Sequence, residues 1–535
     1  MPDRVSLALN GMTDEIFDLI VIGAGINGAG IARDAAMRGL KVLLLDKGDI
    51  AGGTSAWSTR LIHGGLRYLE HFELGLVRES LREREVLLRI APHLVRPIEM
   101  LIPIYKGARR GFWAIRAGMI AYDVLSFDKS LPLHRMLWSA EAWQRVPGLN
   151  REDLVGAALY YDAQAEFPER LVVENVLSAE MNGCVVKTYT QVNQFIVENQ
   201  AVAGVEVNDL RSNENYSVRG RMVVNSAGPW VDAVAGHLRL KSMIGGTKGS
   251  HIIVGHFSGA PETAIYVEAR ADHRPFFIIP WNGKYLIGTT EKRFDENPDT
   301  VKIDDVEIEY LLSETNRVIP RANLKRDSIL FAYSGVRPLP ITNSNDEQGI
   351  TRRHFIHDHA PEFQNLFSIV GGKLTTYRSL SEQVVDLIFR TQKIDIPPPC
   401  RTSKDLLPGA ESDLKAVQSA LETNRKLSAT TIDHLVRVYG ARASDVLQVA
   451  EDDQDLLEVF DVETGAIAAE VVFAFRHELA QTLIDCLLRR TMVGFNSRAG
   501  IGADRVAAQI ASRHLDWSEQ RATDEVTAYR DYRRR

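Results

Sequence analysis

The segment FDLIVIGAGINGAGIARDAAMRGLKVLLLD, residues 17–46, constrains the fold more than any other part of this chain. It holds an apolar strand, a Gly23-x-Gly25-x-x-Gly28 turn, a helix with small residues and a second strand that ends in an acid. Such glycines allow a tight turn and a close approach of backbone to a pyrophosphate, and an acid about 20 residues later suits a ribose hydroxyl. The segment therefore predicts the βαβ start of a dinucleotide-binding α/β domain. Its candidate contacts to the ADP half of the ligand are Gly23, Gly25, Asn27, Gly28 and Asp46.

Composition narrows the class of protein. With 535 residues, of which 45% are hydrophobic and 25% charged, the chain predicts a globular protein of two or three domains. The net charge of -7 argues against a general nucleic-acid binder. Cys184, Cys400 and Cys486 lie far apart without metal-ligand spacing, which indicates reduced thiols in a cytosolic protein and no metal site. No window approaches the ~18 apolar residues of a spanning helix, so any membrane contact is expected to be peripheral.

Three patterns follow the first βαβ unit along the chain. Residues 172–240 return to helix and strand patterns, and residues 245–340 are rich in strands, with a type I′ hairpin predicted at Asn282-Gly283. The run NLFSIVGGKLTTYR repeats the strand, glycine turn and helix order of the N-terminus, and is expected to return the chain to the first domain. After the prolines at 397–399 the pattern is mostly helical.

Eight runs, in this order, carry a family resemblance: GAGINGAGIARDAAMRGLKVLLLD, TRLIHGGLRYLEH, GPWVD, KGSHIIV, IPWNGKYLIGTTE, YSGVRPL, GGKLTTYR and LLRRTMVGF. Over about residues 15–500 the chain closely resembles the FAD-dependent glycerol-3-phosphate dehydrogenases. Members of that family are flavoproteins of the D-amino-acid-oxidase-like class. They oxidise sn-glycerol 3-phosphate to dihydroxyacetone phosphate and reduce membrane quinone. The resemblance therefore implies FAD, whereas the glycine motif alone serves both FAD and NAD.

The resemblance also implies how the chain is divided. The expected units are a split FAD-binding Rossmann-like domain over residues 15–95, 165–245 and 345–395, a strand-rich substrate domain over 96–164 and 246–344, and a helical C-terminal cap domain over 400–535. The family's habit places the protein in the cytoplasm, peripherally on the inner face of the cell membrane. A homodimer is left open.

Cations next to turns are the candidate phosphate ligands. A phosphate dianion needs fixed positive charges, and Arg337, Arg352 and Lys373 follow otherwise apolar strand ends. Surface ion pairs are the alternative interpretation of each. The resemblance favours Arg337 and Lys373 and adds Arg67 and Tyr68, although Arg67 could instead cap the helix that it begins. Thr376, in the same run as Lys373, is a further candidate for substrate binding.

A histidine is the candidate base. Oxidising a secondary alcohol requires a group that takes the hydroxyl proton, and a neutral imidazole with a pKa near ~6.5 suits that task. His251 begins a predicted strand after Lys248-Gly249-Ser250, and the resemblance places it facing the flavin. A core histidine bonded to backbone is the alternative. The predicted catalytic set is therefore His251, Arg337 and Lys373.

The remaining cofactor contacts are predicted in three loops. The first lines the pyrophosphate and flavin, the second passes near the adenosine, and the third places a helix N-terminus near the pyrimidine end of the flavin, where its dipole would stabilise the reduced anion. In that order the candidates are Thr54, Ser55, Ser58, His63 and Gly64; Ala227 and Gly228; and Gly371, Gly372, Leu374 and Thr375.

The run KGARRGFWAIRAGMIAY, residues 106–122, mixes basic and large apolar side chains as an interfacial helix on anionic lipid does. A helix packed on the neighbouring domain, with a solvated basic end, explains the same residues. The basic end YRDYRRR, residues 529–535, is expected to be solvated.

Four other functions remain compatible with parts of the sequence. An oxidase of the same substrate would pass electrons to oxygen. An amine oxidase of the same superfamily would need a carboxylate site in place of the Arg and Lys cluster. A flavin-bound sensor without turnover would not need His251, Arg337 and Lys373 together. An NAD dehydrogenase would be colourless.

Overall fold

The strands of the computed structural model, which describes residues 15–70, 72–341 and 353–534, form two large mixed sheets and one small one. In chain order they are Ile16–Ile22 (β1), Val42–Leu45 (β2), Leu61–Ile62 (β3), Val95–Tyr105 (β4), Arg135–Trp138 (β5), Leu154–Ala165 (β6), Val185–Lys187 (β7), Thr190–Glu198 (β8), Ala201–Asp209 (β9), Glu214–Asn225 (β10), Ile244–Val254 (β11), Ala264–Glu268 (β12), Pro275–Trp281 (β13), Lys284–Gly288 (β14), Lys292–Arg293 (β15), Ile329–Pro340 (β16), Phe355–Asp358 (β17), Leu366–Val370 (β18), Val459–Asp461 (β19) and Ala466–Ile467 (β20).

The helices cover the first sheet and build the C-terminal part. They are Ile26–Met37 (α1), Arg67–Glu70 (α2), Leu74–Ile90 (α3), Phe112–Leu125 (α4), Ser139–Arg145 (α5), Pro168–Met181 (α6), Val231–Val234 (α7), Asp305–Val318 (α8), Tyr377–Thr391 (α9), Leu414–Glu422 (α10), Ala429–Tyr439 (α11), Ala443–Gln448 (α12), Ala468–His477 (α13), Leu483–Asp485 (α14), Ala503–His514 (α15) and Glu519–Arg534 (α16).

The first sheet has the order β17-β18-β10-β1-β2-β7, with β9 paired to β10 and β8 paired to β9. β1 lies parallel to β2 and β10, and its residues Leu19, Ile20 and Val21 are fully buried, as expected of a strand covered on both faces. The predicted βαβ start is confirmed. β18 lies parallel to β10, which confirms that the run after residue 365 returns the chain to this sheet.

The second sheet has the order β15-β11-β14-β13-β12-β4-β6-β3, with β16 on β11 and β5 on β6. β13 and β14 form the predicted hairpin, and Asn282 (φ 48°) and Gly283 (φ 68°) both take the positive φ of a type I′ turn. The short β3 is the next strand after β2 in the sequence, but it pairs with β6 of the second sheet and not with the first sheet. This crossing brings the loop after β2 between the two sheets. The exact domain boundaries remain a prediction.

The C-terminal part, from α10 to α16, is mainly helical, with the small β19-β20 ribbon. α16 packs against α15 and α14, and the Tyr529 hydroxyl is fully buried, where it donates to the Ala499 carbonyl at 2.9 Å. The guanidinium of Arg533 lies 5.0 Å from the centre of the Phe331 ring. The prediction of a solvated basic end is therefore wrong for Tyr529 and Arg533, because tertiary packing covers their face of the helix. Asp531 and Arg534 are exposed, and residue 535 lies outside the described residues.

No helix among the described residues combines the length and the apolar composition that crossing a bilayer would require.

Candidate functional site

A cavity of about 260 Å³ lies between the two sheets and brings together many of the predicted site residues. Its walls come from the loop after β2, from β11 and β16, and from the glycine turn before α9. The predicted residues that line it are Thr54, Ser58, His63, Arg67, Tyr68, His251, Arg337, Gly372, Lys373, Leu374 and Thr375. Residues more than 300 positions apart thus share one pocket.

His251 is buried in β11, with 1% of its surface exposed. Its Nε2 lies 3.0 Å from the Thr59 hydroxyl, its ring stacks on Tyr333 with centroids 4.9 Å apart, and its Nδ1 has no hydrogen-bond partner among the described residues. Burial, and then the charges of Arg337 and Arg60, lower the pKa of His251 well below its ordinary value. The imidazole is therefore neutral at physiological pH and able to accept a proton.

Two arginines face one carboxylate in the same cavity. The Glu291 side chain, 6% exposed, lies 3.5 Å from the Arg337 guanidinium and 3.6 Å from that of Arg67. Arg337 also donates to the Thr289 hydroxyl at 3.1 Å. These contacts hold both guanidinium groups at the cavity wall, where planar N–H forks suit an oxyanion.

Lys373 and Tyr68 complete the cationic side. The Lys373 ammonium lies 3.7 Å from the centre of the Tyr68 ring, a cation–π contact. Gly65 has φ 74°, and a Cβ there would lie 2.1 Å from the Tyr68 ring, so the glycine allows the ring to fold back onto its own turn. The segments GGLRY (residues 64–68) and GGK (residues 371–373) therefore meet across the cavity.

The dinucleotide turn has the geometry that a pyrophosphate requires. Gly23 has φ 102°, and a Cβ on Gly28 would lie 1.8 Å from the Gly23 carbonyl oxygen, so only glycine fits there. Asp46 accepts hydrogen bonds from the backbone of Ala24 at 2.6 Å and of Gly48 at 2.8 Å. Burial raises the pKa of Asp46. Its carboxylate fixes the turn and keeps lone pairs for a ribose hydroxyl.

The loop after β2 is tied to this turn. The Ser55 hydroxyl accepts from the Ile26 amide at 3.0 Å, and the Ala51 amide donates to the Ala24 carbonyl at 3.0 Å. Thr54 donates to the Val336 carbonyl at 2.6 Å, which joins the loop to the second sheet.

The C-terminal part holds the same loop through Asp49. Arg490 makes a bidentate pair with this buried carboxylate, at 2.9 and 2.8 Å, and Arg489 donates to it at 2.5 Å. Burial alone would raise the pKa of Asp49, but the two arginine charges outweigh it and lower that pKa. The run LLRRTMVGF therefore anchors the loop that contacts the dinucleotide turn.

The glycine turn before α9 meets both α1 and the His63 segment. Asn27 donates to the Gly371 carbonyl at 3.4 Å, and the Thr375 hydroxyl accepts from the His63 amide at 3.2 Å. Gly372, with φ 104°, lies so close to Asn27 that a Cβ would be 2.8 Å from its amide nitrogen. The start of α1, the His63 segment and the glycine turn before α9 thus converge.

Comparison with known proteins identifies the family. Residues 18–378 match the model of the FAD dependent oxidoreductases, and residues 400–522 match the C-terminal domain of alpha-glycerophosphate oxidase. The chain is 46% identical to a glycerol-3-phosphate dehydrogenase of Synechocystis over 96% of each protein. The chain belongs to the FAD-dependent glycerol-3-phosphate dehydrogenase family. FAD is the cofactor of this family, as the resemblance implied.

Further relatives agree with this family. The aerobic glycerol-3-phosphate dehydrogenase of Staphylococcus aureus is 32% identical over 96% of this chain and 94% of its own length. The glycerol-3-phosphate dehydrogenase from Bacillus halodurans complexed with FAD superposes with a TM-score of 0.80 at 26% identity, over 98% of this chain and 95% of that one. The expected fold, with a D-amino-acid-oxidase-like domain and a helical C-terminal domain, is confirmed.

The residues present fit FAD. A Cβ on Gly25 would meet only the Ser55 hydroxyl, at 3.4 Å, so the backbone there stays open to a ligand. Gly25 gives α1 no side-chain cap, so the amides that follow that of Ile26 can face a pyrophosphate. Asn27 Oδ1 is buried without a hydrogen-bond donor among the described residues, next to the Gly372 turn. Ala227 and Gly228 follow Ser226, whose carbonyl oxygen would lie 2.6 Å from a Cβ on Gly23.

Some predicted members of the family site lie elsewhere. Thr376 is buried just before α9, with 1% exposed, and does not line the cavity. Gly64 is buried, and its amide donates to the Tyr122 hydroxyl at 2.9 Å. Arg352 lies outside the described residues.

The cavity residues that sequence reasoning missed in this family member include Trp57, Thr59, Arg274 and Glu291. Thr59 holds the His251 ring, and Arg274 donates to the Glu291 carbonyl. Glu291 ends the run IPWNGKYLIGTTE, so its place in that run was the only available signal.

Proposed function

We propose that this chain oxidises sn-glycerol 3-phosphate to dihydroxyacetone phosphate, with hydride passing to FAD and the electrons then passing to a membrane quinone. One observation carries the proposal: a neutral, buried histidine shares a cavity with two arginines and a lysine, between the loops that fit the cofactor. The named relatives are glycerol-3-phosphate dehydrogenases, which supports this substrate.

Each charged residue has a role in this reaction. Arg337, Arg67 and Lys373 bind the phosphate dianion, with the arginine forks directed by Glu291. His251 accepts the proton of the hydroxyl that is oxidised, and Thr59 fixes the orientation of its ring. FAD, when bound, supplies the hydride acceptor. The chain's own contribution is to bind and orient the alcohol and to remove its proton.

The exposed face of α4 supports contact with the membrane. Trp113, Ile120 and Val124 are 66, 48 and 65% exposed on one side of the helix, whereas Met119 on the other side is buried. Phe127, just after the helix, is 79% exposed. Exposed Lys106, Arg109 and Arg116 flank this apolar face. Large apolar side chains with neighbouring cations are typical of a helix that lies in the interface of an anionic membrane, on the cytoplasmic side.

A second candidate keeps the substrate but changes the electron acceptor to oxygen. The matched C-terminal domain is described for alpha-glycerophosphate oxidase, which favours it. The product of that reaction would be hydrogen peroxide.

The first experiment separates these functions. The purified protein is mixed anaerobically with sn-glycerol 3-phosphate, and the flavin absorbance is followed. We expect bleaching that a soluble quinone analogue reverses quickly, and slow reoxidation in air with little peroxide. Fast reoxidation in air with stoichiometric peroxide would support the oxidase. A flavin that stays oxidised would exclude the proposed substrate.

Membrane contact is tested by cosedimentation with vesicles that contain anionic phospholipid. The paired change Trp113→Ser and Val124→Ser should release the protein into the supernatant and leave anaerobic flavin reduction intact. Equal sedimentation of both proteins would exclude α4 as the contact.

A further inference from the structure

A second cavity, of about 340 Å³, adjoins the first and shares Thr54, Trp57 and Gly335 with it. Its walls come from the loop after β2, from β16, from the segment at 298–303 and from the end of α16. Four aromatic side chains line it: Trp57, Trp230, Tyr333 and Tyr532. Apart from Thr54, no residue that was given a cofactor or substrate role above lines this space.

Two residues in the wall of this cavity carry buried donors that lack acceptors. Neither Nε1 of Trp230 nor Nε of Arg533 has a hydrogen-bond partner among the described residues. Burial lowers the pKa of Arg533, and no carboxylate of the described chain is among the groups that raise it. Buried donors are paired in the great majority of protein structures. The cavity therefore offers two N–H groups to a ligand that carries acceptor oxygens.

The other cations near the cavity are already compensated or solvated. The Lys47 ammonium lies over the Trp230 ring at 4.5 Å and pairs with Asp299 at 2.8 Å. Lys302 is exposed. A phosphate is expected to recruit more than one desolvated cation, whereas a neutral planar ring needs apolar walls and a few placed donors.

We propose that the second cavity binds the ring of a quinone, the electron acceptor of the proposed function, on which this inference rests. The flat ring stacks among the aromatic walls, and its two carbonyl oxygens accept from Trp230 Nε1 and Arg533. The positive charge of Arg533 also stabilises the negative charge that develops on a quinone oxygen during reduction.

The position of the cavity suits electron transfer. Trp57 lines both cavities, and its ring lies 5.3 Å from that of Tyr333, which in turn stacks on His251. The quinone takes two electrons and one proton from the reduced flavin and a second proton from solvent, which leaves oxidised FAD and quinol. Substrate and quinone thus occupy separate spaces on either side of a shared wall.

The test uses two variants and a control on the FAD-loaded protein. Trp230→Phe removes the indole N–H but keeps an aromatic wall, and Arg533→Gln removes the charge. Arg534→Gln, an exposed position on the same helix, is the control, with a side chain 79% exposed. Binding of a short-chain soluble quinone to the oxidised protein is measured by quenching of tryptophan fluorescence. Flavin reduction by substrate and its reoxidation by the quinone are measured separately by anaerobic stopped flow.

We expect each variant to weaken quinone binding by about tenfold and to slow reoxidation at low quinone, as loss of one buried hydrogen bond would. The FAD content and the rate of flavin reduction by substrate should stay at the parent values, and the control should match the parent throughout. Unchanged quinone binding in both variants would overturn the proposal. Loss of FAD from either variant would also overturn it, because the donors would then serve the cofactor. Failure of the parent flavin to bleach with substrate would instead refute the proposed function.

Discussion

The carboxylate of Glu291 lies 3.5 Å from the guanidinium of Arg337, although the cavity is proposed to bind a phosphate dianion. The same carboxylate lies 3.6 Å from Arg67. A buried negative charge at this place directs both arginines but also repels an incoming phosphate. Glu291 therefore limits how tightly the cavity holds an anion, which favours release of a phosphorylated product.

Glu291→Gln tests this balance, because it removes the charge and keeps the shape and one acceptor oxygen. We expect competitive inhibition by inorganic phosphate to become about tenfold stronger, or about 1.4 kcal/mol, with no gain in kcat. In Glu291→Ala, phosphate inhibition should become stronger by a smaller factor, because both arginines lose the carboxylate that positions them. Weaker phosphate inhibition in Glu291→Gln would mean that orientation of the arginines outweighs the repulsion.

The Asp49 contact predicts a link between the C-terminal part and cofactor retention. Asp49→Asn leaves the buried Arg490 without its charge partner and Arg489 with Asp485 alone, so the loop after β2 should lose its position against the dinucleotide turn. We expect the dissociation constant of FAD, measured by recovery of flavin fluorescence, to rise at least about tenfold.

Glu478→Gln is the matched control for that measurement. Glu478 pairs with Arg170 of α6 at 2.5 Å, a fully buried contact that also joins the C-terminal part to the first sheet but does not touch the loop. Both variants should unfold at lower temperature, and only Asp49→Asn should lose FAD at a temperature where both are folded. Equal loss of FAD would show that the Asp49 contact acts through general stability alone.

Sequence patterns predicted the site where its signals were local. The glycine spacing of residues 23–28 and the alternation around Asn282-Gly283 each lie within a few residues, and both were confirmed. The contact between Asp49 and Arg490 spans 441 positions, and neither residue has a local pattern that indicates a partner. The burial of Arg533 likewise depends on Phe331, so the composition of the tail alone suggested a solvated end.

Acid should weaken the attachment of the C-terminal part. Burial acts to raise the pKa of Glu478, but the charges of Arg170 and Arg442 outweigh it and lower that pKa to about 2. Because the folded pKa lies below the ordinary value of about 4.3, this contact stabilises the protein above that pH, and its contribution is lost as the pH falls toward 2. The expected loss is about 3 kcal/mol, and urea unfolding curves between pH 6 and pH 2 should record it. Glu478→Gln should be less stable at pH 6 and should show a flatter decline; an equally steep decline would assign the effect to other carboxyl groups.

The lowered pKa of His251 predicts the pH dependence of the reaction. Burial and the charges of Arg337 and Arg60 disfavour the imidazolium, so the free enzyme keeps a neutral base below the ordinary histidine value of about 6.5. We therefore expect kcat/KM for sn-glycerol 3-phosphate to stay level through pH 6.5 and to fall only at clearly lower pH.

His251→Gln should slow anaerobic flavin reduction by about 10²- to 10⁴-fold, the usual contribution of a general base. It should also abolish the fall of kcat/KM at low pH, the acid limb of the pH profile. Phosphate inhibition should change little, because the arginines and Lys373 remain. Thr59→Ala, which frees the ring at Nε2, should lower the rate less and keep the limb, since it leaves the base in place. A limb near pH 6.5 that persists in His251→Gln would assign the titrating group to another residue and leave His251 as a packing residue beneath Tyr333.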